Sequence, residues 1–169
     1  MEAAAECLEA CRALGVPLVI NDRVDVCLAV GADGVHVGQD DIPAAMVRAM
    51  IGPDRILGVS AQDAAEVARA AEAGADYVGC GAVYPTATKG DAHSMGLGGL
   101  AEICAGTDLP VVAIGGIKPG NGSIGACLRA GAVGVAVVSG IFDTDPAEAC
   151  RGITREVAES LGLAGGEGQ

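Results

Sequence analysis

The sequence predicts an α/β domain in which short parallel strands alternate with helices, and three observations predict it. Six brief apolar runs lack polar alternation: Pro17–Ile20, Gly34–Val37, Ile56–Val59, Tyr77–Cys80, Val111–Ile114 and Gly134–Val138. Such runs fit parallel strands buried on both faces. A joint then recurs at 30–35, 73–78 and 130–135, each reading as a helix-ending glycine and a turn into a strand; this is the link of a repeated βα unit. Finally, the polar clusters fall where apolar runs end.

The helices follow in order. Helical patterns cover about 2–14, 23–31, 43–51, 62–73, 97–105, 120–130 and 146–161. Asp22 precedes the second, Pro43 opens the third and Asp145-Pro146 starts the last, all good start signals. Gly15, Gly31, Gly74 and Gly131 stand where helices should stop. The reading is one domain over 1–161 and a glycine-rich, disordered tail over 162–169.

At 169 residues the chain is long enough for a sizeable core. A net charge of −12 argues against nucleic-acid binding, which wants a basic face. It leaves phosphate ligands open, because backbone amides and a divalent cation hold them without many basic side chains. The seven cysteines are odd in number and form no C-x-x-C pair. They read as small buried hydrophobes in a reducing cytoplasm. No signal peptide or membrane span is visible in the sequence.

Two turns help to choose among α/β architectures. Ile114-Gly115-Gly116-Ile117 and Val138-Ser139-Gly140-Ile141 end the last two strands. A phosphate site after strands seven and eight recurs in (β/α)₈ barrels, where glycine lets a ligand approach bare amides. On that count Pro17–Ile20 is the third strand. The expectation is a (β/α)₈ TIM barrel without its first two strands, with an open six-stranded sheet as the alternative.

The candidate chemistry sits at strand ends. Gly81 to Gly90 places hydroxyls at Thr86 and Thr88 and an ammonium at Lys89 in a tight loop, a donor set suited to an oxyanion. Asp22 and Asp41 follow the first two strands. Either reads as a helix cap, or the pair reads as a Mg²⁺ site bridging protein and diphosphate, with Asp40 as rival to Asp41. Ser60 reads as a phosphate donor or as a cap for the helix near Gln62. His36, within a strand, reads as structural. His93 lies in a polar loop over 90–95 that looks like a flap.

These motifs together resemble thiamine-phosphate synthase. The matching residues are Val19-Ile20-Asn21-Asp22, Ala32 through Asp41, Leu57-Gly58-Val59-Ser60, Ala75 through Gly79, Tyr84 through Lys89, Ile114-Gly115-Gly116-Ile117 and Val137-Val138-Ser139. The resemblance implies a (β/α)₈ barrel that joins hydroxymethylpyrimidine diphosphate to a thiazole phosphate with Mg²⁺. It implies Asp22 and Asp41 as metal ligands and Asn21 on the pyrimidine diphosphate. Ser60 and Lys89, as catalytic residues, would hold the diphosphate. Thr86, Thr88 and the amides near Gly116, Val138 and Ser139 would take the thiazole phosphate. The implied mechanism is dissociative, through a pyrimidine-methyl cation. Such a reaction needs charge neutralised and partners aligned more than it needs a nucleophile.

The family's Gln-x-Arg-x-Lys motif, which binds diphosphate, is not found in this sequence. The expectation is therefore weak activity for residues 1–169 alone. The alternatives are a thiazole tautomerase and a non-catalytic barrel that only binds phosphate ligands. Partners are small molecules, with no nucleic acid or membrane and with a homo-oligomer open.

Overall fold

The computed structural model describes residues 1–86 and 94–163. Internal contacts divide the chain into two units, Met1–Gly79 and Cys80–Gln169. In the first unit the strands follow one another in chain order, β1-β2-β3-β4, and in the second β5 lies beside β6.

The first unit holds α1 (Glu2–Ala13), β1 (Val19–Asn21), α2 (Val24–Val30), β2 (Gly34–Val37), α3 (Ala44–Ile51), β3 (Ile56–Ala61), α4 (Ala64–Glu72) and most of β4 (Tyr77–Cys80). β1 pairs parallel with β2 and β2 with β3, in a register that sets Asn21 opposite His36 and His36 opposite Gly58. Val35, Val37, Leu57 and Val59 are buried, and Val24, Cys27, Val47, Ile51 and Val67 of the helices join them in the core. Gly34 belongs to the pairing, since a Cβ there would run into the backbone carbonyl oxygen of Ile56.

The second unit holds α5 (Gly96–Ala105), β5 (Val111–Ile114), α6 (Ser123–Arg129), β6 (Gly134–Ala136), α7 (Ser139–Phe142) and α8 (Pro146–Ser160). β5 and β6 pair parallel, with Val112 opposite Gly134. Leu100, Ile103, Val111, Ala113, Ile117, Ile124 and Cys127 form its core. α8 starts as its sequence predicts: the Asp145 carboxylate accepts from the amides of Ala147 and Glu148 at 2.9 and 3.0 Å, with proline in the first turn.

The recurrent αβ joint is a clasp. The Asp33 amide donates to Leu18 O at 3.1 Å, and the Leu18 amide returns a bond to Asp33 Oδ2 at 2.8 Å. Asp76 and Leu57 make the same exchange at 2.8 and 2.7 Å. At the third joint the Val133 amide reaches Val111 O at 2.9 Å, but valine has no acceptor to return. Of the expected stop glycines, Gly31 caps α2 in the left-handed region, and Gly15, Gly74 and Gly131 follow their helices at positive φ.

Three expectations need correction. β1 is half-buried and then exposed and β6 is half-buried throughout, whereas β2 to β4 are mostly buried; among the described residues β1 pairs with β2 alone and β6 with β5 alone. β6 also stops at Ala136, two residues early, since Val138 turns out of extended backbone to start α7, a helix too short to show a period. Cys27, Cys80 and Cys127 are buried, but Cys7 and Cys150 are exposed on helix faces and Cys11 and Cys104 lie between; none of the seven is in a disulfide. Residues 164–169 of the expected tail lie outside the described residues.

Candidate active site

In the first unit the candidate residues follow three neighbouring parallel strands. Asn21 ends β1, Asp22 comes next, Asp41 lies in the turn after β2, and Ser60 is the penultimate residue of β3. Asn21, Asp22 and Asp41 are exposed, and Ser60 is half-buried.

Of the three helices that follow these residues, only α4 has a side-chain cap at its N-cap position. The residue before α2 is Arg23, which makes no side-chain cap bond and instead pairs with Asp25. Asp22 stands one residue before that position. Pro43 precedes α3, again with no side-chain cap. The cap of α4 is Asp63, which accepts from Glu66 N at 2.8 Å while Glu66 accepts from Gln62 N at 2.7 Å.

Each candidate is held differently. Asp22 has φ +61°, the left-handed region that disfavours most residues with a Cβ, and its amide donates to His36 O at 2.8 Å. Asp41 Oδ2 accepts from Gly38 N at 2.7 Å, closing the turn that carries it. A carboxylate has more lone pairs than that bond uses. Ser60 Oγ lies 2.9 Å from His36 Nε2, and His36 Nδ1 lies 2.9 Å from the Tyr77 hydroxyl. Gln39 Nε2 donates to Ser60 O at 2.5 Å. His36 and Tyr77 thus join a polar cluster with Ser60; a strand periodicity treats both as core and gives no signal of it. Burial pushes the Tyr77 phenol upward, so it stays neutral.

Two carboxylates after adjacent parallel strands fit Mg²⁺, which commonly takes one or two protein carboxylates and fills its other positions with water and phosphate oxygens. Among the described residues no group of three or more His, Cys, Asp or Glu gathers as a metal cage.

In the second unit, Gly115 and Gly116 have φ +96° and +69°. A Cβ on Gly115 would come 2.6 Å from Ala82 Cα, and one on Gly116 2.7 Å from Tyr84 Cβ. The amides of Val83 and Tyr84 donate to Ile114 O and Gly115 O, both at 3.0 Å. Close approach of segment 82–85 is therefore already a reason for these glycines. A cavity of about 470 Å³ opens beside Gly116 and is lined also by Tyr84, Pro85, Lys118, Asn121 and Ser123. A second, of about 440 Å³, is lined by Ser139, Gly140 and again Lys118. The Ser139 and Gly140 amides open α7, so the helix supplies them no carbonyl. Val138 is exposed. Lys118 went unread in the sequence, although a basic residue two positions past a double glycine is a usable signal. Thr86 is described at the end of the 81–86 segment; Thr88, Lys89 and His93 lie outside the described residues.

Comparison with known proteins agrees across methods. The family model described as thiamine monophosphate synthase matches residues 1–141. The thiamine-phosphate synthase of Roseiflexus sp. strain RS-1 is 53% identical over 152 residues, covering 89% of this chain and 64% of that protein. The chloroplastic thiamine biosynthetic bifunctional enzyme TH1 of Arabidopsis thaliana is 50% identical over 146 residues, 86% of this chain and 28% of its own length. The chain thus spans from about a quarter to two-thirds of the length of such relatives. A thiamine phosphate pyrophosphorylase structure from Pyrococcus furiosus superposes with TM-score 0.86 at 37% identity, over 95% of this chain and 76% of that one. With strand-end residues, glycine turns and family model in agreement, the chain belongs to the thiamine monophosphate synthase family.

Proposed function

We propose that the protein couples hydroxymethylpyrimidine diphosphate to thiazole phosphate, releasing diphosphate and forming thiamine phosphate. The observation that carries this reading is the placement of Asn21, Asp22, Asp41 and Ser60 at or just after the ends of neighbouring parallel strands, with the cap of α4 supplied by Asp63 and not by Ser60. The names of the relatives support the same reaction. The parallel strands are read as part of a (β/α)₈ barrel.

In this reading Asn21 contacts the pyrimidine diphosphate, and Asp22 and Asp41 hold Mg²⁺. Held there, the ion would supply positive charge to the departing diphosphate. Ser60 and Lys89 would hold the diphosphate. Thr86, Thr88 and the amides near Gly116, Val138 and Ser139 hold the thiazole phosphate, and Lys118, bordering both cavities, adds positive charge there. The carbon–oxygen bond to diphosphate breaks first, leaving a pyrimidine-methyl cation that the thiazole nitrogen attacks. No residue needs to bond covalently; the protein orients two substrates and receives charge. A tautomerase has no use for paired carboxylates gripping a metal diphosphate. The site of action is read as the cytoplasm; among the described residues no helix is long and apolar enough to cross a membrane.

The test mixes the protein with both substrates and Mg²⁺ and follows thiamine phosphate and diphosphate by chromatography, with calorimetry of thiazole phosphate binding alongside. Stoichiometric release of both products is expected. Absence of product together with absence of saturable thiazole phosphate binding would overturn the reading.

A further inference from the structure

His36 stands between two hydroxyls. Its Nε2 lies 2.9 Å from Ser60 Oγ and its Nδ1 2.9 Å from the Tyr77 oxygen. Room for the ring comes from glycine. His36 is opposite Gly58 in the β2–β3 pairing. A Cβ at Gly58 would collide with the Tyr77 ring and His36 Nδ1, and one at Gly79 would come 3.0 Å from His36 Cε1. The imidazole thus lies in a slot made by two bare strand positions, its centroid 5.5 Å from that of Tyr77 at an interplanar angle of 36°.

A neutral imidazole offers one donor and one acceptor, so its two neighbours take opposite roles. A phenol is a far more acidic donor than an imidazole N–H, and burial keeps Tyr77 in its neutral, donating form. Tyr77 O–H therefore donates to Nδ1. The ring hydrogen then sits on Nε2 and is donated to Ser60 Oγ. An oxygen that accepts from the ring turns its own hydrogen away from it.

We propose that His36 is a positioning residue: it holds the Ser60 hydroxyl as a hydrogen-bond donor toward an oxyanion, and Tyr77 fixes the ring tautomer that makes this possible. The opposite polarity, with Ser60 donating into the ring, would prepare a nucleophile, which a dissociative reaction does not use. That the oxyanion is the leaving diphosphate rests on the proposed function; the polarity of the three-residue chain does not.

The first test is nitrogen-15 NMR of the imidazoles. The protein has two histidines, so a His36→Gln variant identifies the remaining ring. At neutral pH His36 is expected to show a protonated, pyrrole-like Nε2 and a pyridine-like Nδ1. Protonation at Nδ1, or at both nitrogens, would overturn the proposal. The second test is kinetic. Ser60→Ala and His36→Asn are each expected to lower kcat about 10- to 100-fold with KM changed less than about threefold, the mark of an interaction made in the transition state. His36→Gln, whose amide nitrogen reaches the Nε2 position, is expected to recover most of kcat. Equal losses in the Gln and Asn variants would refute the positioning role. If the protein does not couple the two substrates, calorimetry with magnesium diphosphate takes the place of kcat: His36→Asn and Ser60→Ala should weaken binding alike, His36→Gln should not, and the NMR result stands regardless.

Discussion

Asp22 combines a backbone cost with a proposed place in the metal site. Its φ of +61° is one that glycine adopts freely and aspartate tolerates better than most residues. A strained position kept beside a strand end suggests function, and substitution separates the two effects. Asp22→Gly is expected to leave stability unchanged or raise it by up to about 1 kcal/mol in chemical denaturation. The same variant should lose coupling activity by at least about 100-fold, since metal assistance is worth several kcal/mol. Retained turnover at ordinary Mg²⁺ would remove Asp22 from the metal site. Lys118 calls for a smaller effect. It is exposed and borders both cavities. Lys118→Ala is expected to raise KM for thiazole phosphate roughly 3- to 10-fold, as for one charge-assisted contact in water, and to leave KM for the pyrimidine diphosphate alone. A matching rise for both substrates would contradict its placement at the thiazole phosphate.

At the scale of elements, the αβ clasp explains how a chain rich in small residues locks helix to strand. Asp76 accepts the amide of fully buried Leu57 and also the Arg48 guanidinium at 2.6 Å. Arg48 in turn donates to the carbonyl oxygens of Gly52, Arg55 and Gly74. Removing the Asp76 carboxylate leaves a buried donor without that acceptor. Asp76→Ala is therefore expected to destabilise by about 1–3 kcal/mol in urea unfolding. The third joint offers the converse. Val133 is 67% exposed where the other two joints carry aspartate, and its amide already reaches Val111 O. Val133→Asp is expected to add the missing return bond and stabilise by about 0.5–1.5 kcal/mol. A loss of stability would show that the clasp depends on more than the local turn.

For the whole molecule, the acidic balance and the phosphate ligands are compatible because the candidate sites rely on few basic side chains. A net charge of −12 repels free anions at long range, so in the proposed function binding would depend on short-range amides, hydroxyls and a bound cation. This coupling is measurable by thermal unfolding. Mg²⁺ and diphosphate together are expected to raise the melting temperature more than the sum of their separate effects, because each supplies ligands to the other. At 100 times the dissociation constant the stabilisation is about 2.7 kcal/mol. Strictly additive shifts would argue against a metal that bridges protein and diphosphate.

Much of the fold and part of the site could be read along the chain. β2, β4 and β5 fall where uninterrupted apolar runs place them, and Gly31 and Asp145 end and begin helices as their chemistry dictates, because these are local preferences of backbone and solvent. Asn21, Asp22, Asp41 and Ser60 were legible as polar residues after apolar strands, and the motifs around them carried the family resemblance. What the local sequence could not decide was which of two duties each side chain performs. Whether Asp22 caps a helix depends on where α2 starts, and whether Ser60 caps one depends on Asp63 three residues on. The role of His36 was hidden altogether. Its partners lie 24 and 41 residues away, and they meet only because parallel pairing brings β2 beside β3 and glycines at 58 and 79 leave room for a ring. Pattern along a chain reports what each residue prefers; contacts between distant strands are set by register and by empty space, which only the folded arrangement creates.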